Sequence, residues 1–180
     1  MGTLIGQPDR IAVEFDLWPS EAGHKKWLFG TMCLWAGGER IGRDDEQCAM
    51  TVALASFPDV LAQAGKRGDA ALMAMPAPAA FETMHDAIYG DDGDTRSGRE
   101  ISALAREYGR FDVLPGGFDA FDGWKAFLIE DRMAARLLWR SPDGAVHETR
   151  IGTGEFDRVI DAFLTELEHQ SGCKRKPLER

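Results

Sequence analysis

Four histidines, three cysteines and a handful of clustered carboxylates are the side chains through which this chain could do chemistry. Cys33, Cys48 and Cys173 are far apart and form no CxxC pair, so neither a zinc ribbon nor a redox dithiol is expected. His24, His85, His147 and His169 fall on four different predicted elements. His85 lies on an apolar helical stripe with no second ligand at metal spacing, and reads as a core-edge histidine. Glu14 and Asp16 share one strand face and could act as an acid–base pair, but beside Val13 and Phe15 they read as the solvent side of a half-buried strand. Asp91, Asp92 and Asp94 surround a glycine in DDGDTRSG, yet the order departs from a calcium loop, which needs ligands at alternating positions and a closing glutamate. Asp119 and Asp122 in PGGFDAFDGW read as turn-forming residues whose side chains bind nearby amides. A nucleophile elbow, a phosphate-binding glycine–lysine loop, HExxH and a dinucleotide fingerprint are all missing from the sequence. The expectation is a chain with no catalytic residue, no metal site and no cofactor.

Charge narrows the partner. The net charge of −9 disfavours nucleic acid, whose binding requires cations to neutralise phosphates. It suits a basic protein partner, because opposite charge speeds encounter. No apolar run approaches the roughly 20 residues of a membrane span. The first eight residues lack the basic start and apolar core of a secretory signal, so the cytoplasm is the expected location.

The elements that must position these residues begin with 26–42, KWLFGTMCLWAGGERIG. Its alternation is apolar on both faces, which predicts a strand buried on both sides, with Trp27, Cys33 and Trp35 in the core. Gly37 and Gly38 supply the two positive-φ positions of a tight hairpin. Residues 10–18, RIAVEFDLW, alternate cleanly and should pair with that strand. Residues 48–55 fit strand or helix equally. Ser56-Phe-Pro-Asp predicts a helix start, with the helix running over 57–66. Short helices follow over 69–75 and from Pro78, and Ser97 with Glu100 forms a capping box opening another. Residues 111–114 predict a short edge strand. Residues 123–130, 133–140 and 145–151 predict a three-stranded meander, with Ser141-Pro-Asp-Gly as its second turn. A closing helix over 155–170 carries Phe156, Val159, Ile160, Phe163, Leu164 and Leu167 as one stripe. Together these give one α+β domain over 1–172, a mainly antiparallel sheet (N-terminal hairpin plus C-terminal meander) covered by amphipathic helices. Residues 173–180 form a basic, flexible tail.

Residues 10–18 (RIAVEFDLW), 27–42 (WLFGTMCLWAGGERIG) and 121–140 (FDGWKAFLIEDRMAARLLWR) resemble the bacterial polymorphic-toxin immunity proteins of the family numbered forty-two. The W-hydrophobic-FG start, the tryptophan strand, the GG turn and the FDGW strand occur in the same order, over about half the chain. The resemblance implies a cytoplasmic protein that uses no cofactor. It would bind and neutralise a toxin domain exchanged between competing bacteria. If that toxin is a nuclease, its substrate face is basic and an acidic patch mimics phosphates. The candidate contacts are then Asp44, Asp45 and Glu46, Asp91, Asp92 and Asp94, and Asp119 with Asp122. Two other readings stay open. A small acidic secretion chaperone would expose a groove for an unfolded effector segment. An enzyme would converge Glu14 and Asp16 in a concave pocket with a histidine or metal.

Overall fold

The computed structural model describes residues 2–19, 27–90, 97–142 and 144–177. The connection holding His24 lies outside them. Strand β2 (Ile11–Leu17) pairs antiparallel with β3 (Phe29–Ala36), from Ile11 opposite Ala36 to Leu17 opposite Gly30. Gly37 and Gly38 both adopt positive φ, as a tight hairpin with the twist of its strands requires, and lead into β4 (Glu39–Ile41). The sequence reading did not assign β1 (Thr3–Gln7), a five-residue strand that pairs with the free side of β2. The ambiguous 48–55 stretch splits, with β5 (Cys48–Ala49) pairing with β3 and the rest turning helical. The meander forms a second sheet of its own, β6 (Lys125–Glu130), β7 (Ala135–Arg140) and β8 (His147–Ile151).

Helix α1 runs over Met50–Leu61, not over 57–66, and carries Pro58 inside it. An interior proline lacks the amide that the carbonyl four residues earlier needs. That carbonyl, on Leu54, instead accepts the Lys176 amide at 3.0 Å. A proline that read as a start signal is thus tolerated mid-helix because the end of the chain fills its gap. Arg175 reinforces this clasp, reaching Glu168 at 3.0 Å and Asp161 at 2.6 Å. Cys173, Arg175 and Lys176 of the expected flexible tail are therefore hydrogen-bonded to α5 or α1.

Asp69 caps α2 (Ala70–Ala74), accepting two amides at 3.0 Å each. Helix α3 (Ala77–Tyr89) starts after Pro76, and α4 (Gly98–Tyr108) opens with the expected capping box. The edge strand expected over 111–114 is reduced to a single bridge between Asp112 and Phe127. The Asp112 side chain accepts the Leu114 amide at 3.3 Å, and Pro115 then offers no donor, so the ladder stops. Helix α5 (Glu155–Ser171) closes the fold.

Two apolar clusters hold these layers. In the main one, Ile11, Val13, Phe15, Met32 and Leu34 of the first sheet meet α1, α5 and one face of the second sheet. Phe163 of α5 packs edge-on to Phe15 at 5.1 Å and Phe57 at 5.9 Å. In the smaller one, Phe127, Ile129 and Leu138 meet Phe81 and Met84 of α3. The second sheet is thus covered on both faces. Among the described residues the first is covered by helices on one. On its other face Leu4 is 48 % and Phe29 41 % exposed, and Trp27, expected in the core, is 53 % exposed.

Candidate functional site

The acidic candidates come from two turns that the fold brings together. Asp44, Asp45 and Glu46 occupy the loop between β4 and β5, while Asp119 and Asp122 stand at the start and end of a 3₁₀ turn over Asp119–Phe121. The Arg43 amide donates to the Ala120 carbonyl at 2.8 Å and so joins the two. Gly42, with φ +96°, lies so close to the Phe121 ring that a side chain there would collide with it. Asp44, Asp45, Asp119 and Asp122 are exposed and Glu46 is half-buried. Asp91, Asp92 and Asp94 lie outside the described residues.

This acidic margin is continuous with the uncovered sheet face. Asp44 holds Arg40 at 2.5 Å, and the Arg40 guanidinium lies 4.8 Å from the centre of the Trp35 ring. The Trp35 indole donates to Glu14 at 2.9 Å, and the same carboxylate oxygen is 3.9 Å from the Cys33 sulfur. Glu14 is therefore an acceptor for its strand neighbours, and the geometry gives it an indole and a thiol to hold. Asp16 sits opposite Thr31 two pairs further along.

Burial, and then the Glu14 carboxylate, pushes the Cys33 thiol up to about 12. Burial likewise pushes Cys48 up to about 11. The thiolate is the reactive form, so these two cysteines are inert in the folded protein. Iodoacetamide at pH 8 is expected to alkylate Cys173, which is only partly buried, well before Cys33 or Cys48. Peptide mapping that finds all three modified at one rate contradicts this placement.

Beside the acidic margin lies a recess of ≈ 190 Å³ lined by Tyr89, Phe118, Asp119, Asp122, Trp124 and Lys125. The Tyr89 hydroxyl donates to Asp112, and the Lys125 ammonium lies 4.4 Å from the Tyr89 ring centre. Burial and the Asp112 charge both raise the phenol's affinity for its proton, so Tyr89 stays neutral and serves as a donor. Burial raises Asp112 as well, against the pull of the Tyr89 hydrogen bond. The arrangement ties the end of α3 to the segment before β6.

His85, His147 and His169, the described histidines, lie on three different elements. His85 stacks on Phe81, and His147 stacks on Trp139 while reaching Glu39 at 2.7 Å. Among the described residues one His–carboxylate grouping has metal-like spacing, Glu82, His85 and Asp86. Glu82 is already taken by Arg140 at 2.5 Å, so the set does not present free ligands.

Sequence reasoning missed two buried arginines. Arg67 is fully buried and clamps Asp157 and the Val60 carbonyl. Arg136 is 3 % exposed, pairs with Glu148 and caps α2 through the Leu72 and Met75 carbonyls. Nothing local marked either arginine as buried.

The Immunity protein 42 family matches the chain over residues 1–166, and the chain belongs to that family. The crystal structure of CdiI from Burkholderia dolosa is similar, with a TM-score of 0.64 at 16 % identity over 91 % of this chain and 99 % of that one. At that identity the likeness speaks to the fold. No curated protein sequence matches the chain. No helix among the described residues is long and apolar enough to cross a membrane.

Proposed function

We propose that this member of the Immunity protein 42 family binds a cognate bacterial toxin domain and neutralises it by direct contact, in the cytoplasm, without cofactor or catalysis. The observation that carries this reading is the family match over 1–166. CdiI of the Burkholderia structure shares the fold. The net charge of −9 and the joined acidic turns give the binding a physical form. Asp44, Asp45 and Glu46, together with Asp119 and Asp122, set a negative field along one margin of the first sheet. Such a margin draws in a basic surface and accelerates encounter, and salt weakens it. Asp91, Asp92 and Asp94 are proposed as further acidic contacts.

The test is co-expression with the toxin domain encoded beside this gene. The wild-type protein should restore growth and co-elute with the toxin on gel filtration. Continued killing with no complex overturns the reading. The variant Asp44→Asn/Asp45→Asn/Glu46→Gln should associate about tenfold more slowly at low salt and converge on wild type at high salt. An unchanged association rate at low salt removes these three residues from the interface field.

A further inference from the structure

We propose that the uncovered face of the first sheet is the surface on which the toxin domain seats, with Trp18, Trp27, Phe29 and Trp35 as its anchors. This rests on the toxin-binding reading above and names its contact surface.

Pattern and cover do not match in the first sheet. An antiparallel sheet packed on one face normally alternates apolar inward and polar outward. Strand β3 does not: Met32, Leu34 and Ala36 face the core, while Phe29, Cys33 and Trp35 occupy the other side. In the second sheet the same two-sided apolar pattern is satisfied, because helices and the main core cover its two faces. In the first sheet, α1 and α5 cover one face, and on the other Phe29 is exposed and Trp35 half-buried, while the small Ala12 and Cys33 between the larger side chains are buried.

Register places these side chains together. Glu14 stands opposite Cys33, and Leu4 opposite Glu14, so all three share the outer face. The Trp18 amide donates to the Phe29 carbonyl at 3.0 Å, which continues the β2–β3 pairing and sets the two residues opposite each other. Leu4, Trp18, Trp27 and Phe29 are exposed by 48, 43, 53 and 41 %. Of the large apolar side chains exposed among the described residues, only Tyr89 and Met133 lie elsewhere. Tryptophan is the residue type most enriched among side chains that dominate binding energy, and an exposed cluster of aromatics marks an interaction surface.

Charge selects the occupant. Glu14 stands among the aromatics, and the acidic turn joins the same face through Asp44 and Arg40. A toxin surface bearing Arg or Lys beside an apolar patch complements both features. A second copy of this chain would instead bring another net charge of −9 against this acidic face. The face's own cation, Arg40, is already engaged by Asp44 at 2.5 Å.

The test uses the full chain and the toxin domain encoded beside its gene. Trp18→Ala and Trp27→Ala each remove an exposed ring and should leave the melting curve close to wild type. Each is expected to weaken the complex at least about 30-fold by isothermal titration. Met133→Ser, on the exposed β6–β7 turn, should bind as wild type does. If wild type binds and both tryptophan variants bind within threefold of it, the sheet face is not the contact surface and the toxin reading stands. If wild type forms no complex, the toxin reading falls and this inference with it. If wild type sediments as a dimer that Trp18→Ala converts to monomer while toxin affinity is unchanged, the face belongs to a second copy and the inference is overturned.

Discussion

Arg67→Met is expected to lower folding stability by about 3–5 kcal/mol, the range for removing one partner of a buried charge cluster. Arg67 is fully buried and its guanidinium has three tasks. It donates to both oxygens of Asp157 on α5 at 2.9 and 3.0 Å, sits 3.6 Å from Glu130 of β6, and meets the Val60 carbonyl near the end of α1 at 2.6 Å. Its own carbonyl accepts the Glu130 amide at 2.9 Å, which extends the edge of the second sheet. Three elements therefore converge on one cation. Methionine fills much of the volume but leaves two carboxylates facing each other, so the loss comes from uncompensated charge more than from a cavity. The deficit depends on pH. Burial raises the Asp157 carboxyl above its usual range, and Arg67 is the main group holding it down. Without Arg67, burial and Glu130 push it further up. A folded-state value above the unfolded one, about 3.9, means the folded chain takes up the proton more readily, so this group's contribution is favourable in acid and is lost as pH rises. The variant's deficit should accordingly begin to grow once pH passes the wild-type Asp157 value, itself above the usual carboxylate range, and level off once Asp157 of the variant is ionised. Urea denaturation at several pH values measures it. A neutral-pH change under about 1 kcal/mol contradicts the assignment of Arg67 as the hub.

The contrast between Arg67 and the strands shows what sequence can carry. Strands β2, β3, β6 and β7, and helix α5, were legible because their apolar periods of two and 3.6 are local and need no partner to be read. The Ser97–Glu100 capping box was legible for the same reason. Arg67 was not: in KRGD it looks like a solvated loop cation, and only Asp157 and Glu130, far along the chain, make its burial tolerable. The start of α1 failed likewise, since the hydrogen bond that excuses Pro58 comes from Lys176. Trp27 was assigned to a buried strand, but it stands two residues before β3 and is exposed. Alternation says which way a side chain points, and whether another layer lies there is decided by the rest of the fold. The acidic turns were visible one at a time. Their adjacency depends on the Arg43–Ala120 contact, which no spacing rule encodes. A two-sided apolar strand in an antiparallel sheet was itself the signal for the open aromatic face, once one face proved to have no cover.

That adjacency also makes Gly42 a sensitive position. Gly42→Ala is expected to cost about 2–4 kcal/mol, combining a left-handed backbone that alanine disfavours with overpacking against a fixed neighbour. A Cβ there would stand 2.7 Å from the Phe121 ring and 2.9 Å from the Ala120 carbonyl oxygen. The ring is buried in the main core, and the carbonyl is held by the Arg43 amide, so neither can retreat without loosening the other. Gly38 is the internal control. Its φ of +84° imposes a similar backbone penalty, yet nothing lies within 4 Å of a Cβ placed there. Gly38→Ala should therefore lose about 1–2 kcal/mol, and the difference between the two variants isolates the steric part. Because the clash lies between the two acidic turns, Gly42→Ala should also separate Asp44–Glu46 from Asp119 and Asp122, and slow toxin association at low salt more than Gly38→Ala does. Equal melting temperatures for the two variants would show that the turns are not locked together at Gly42.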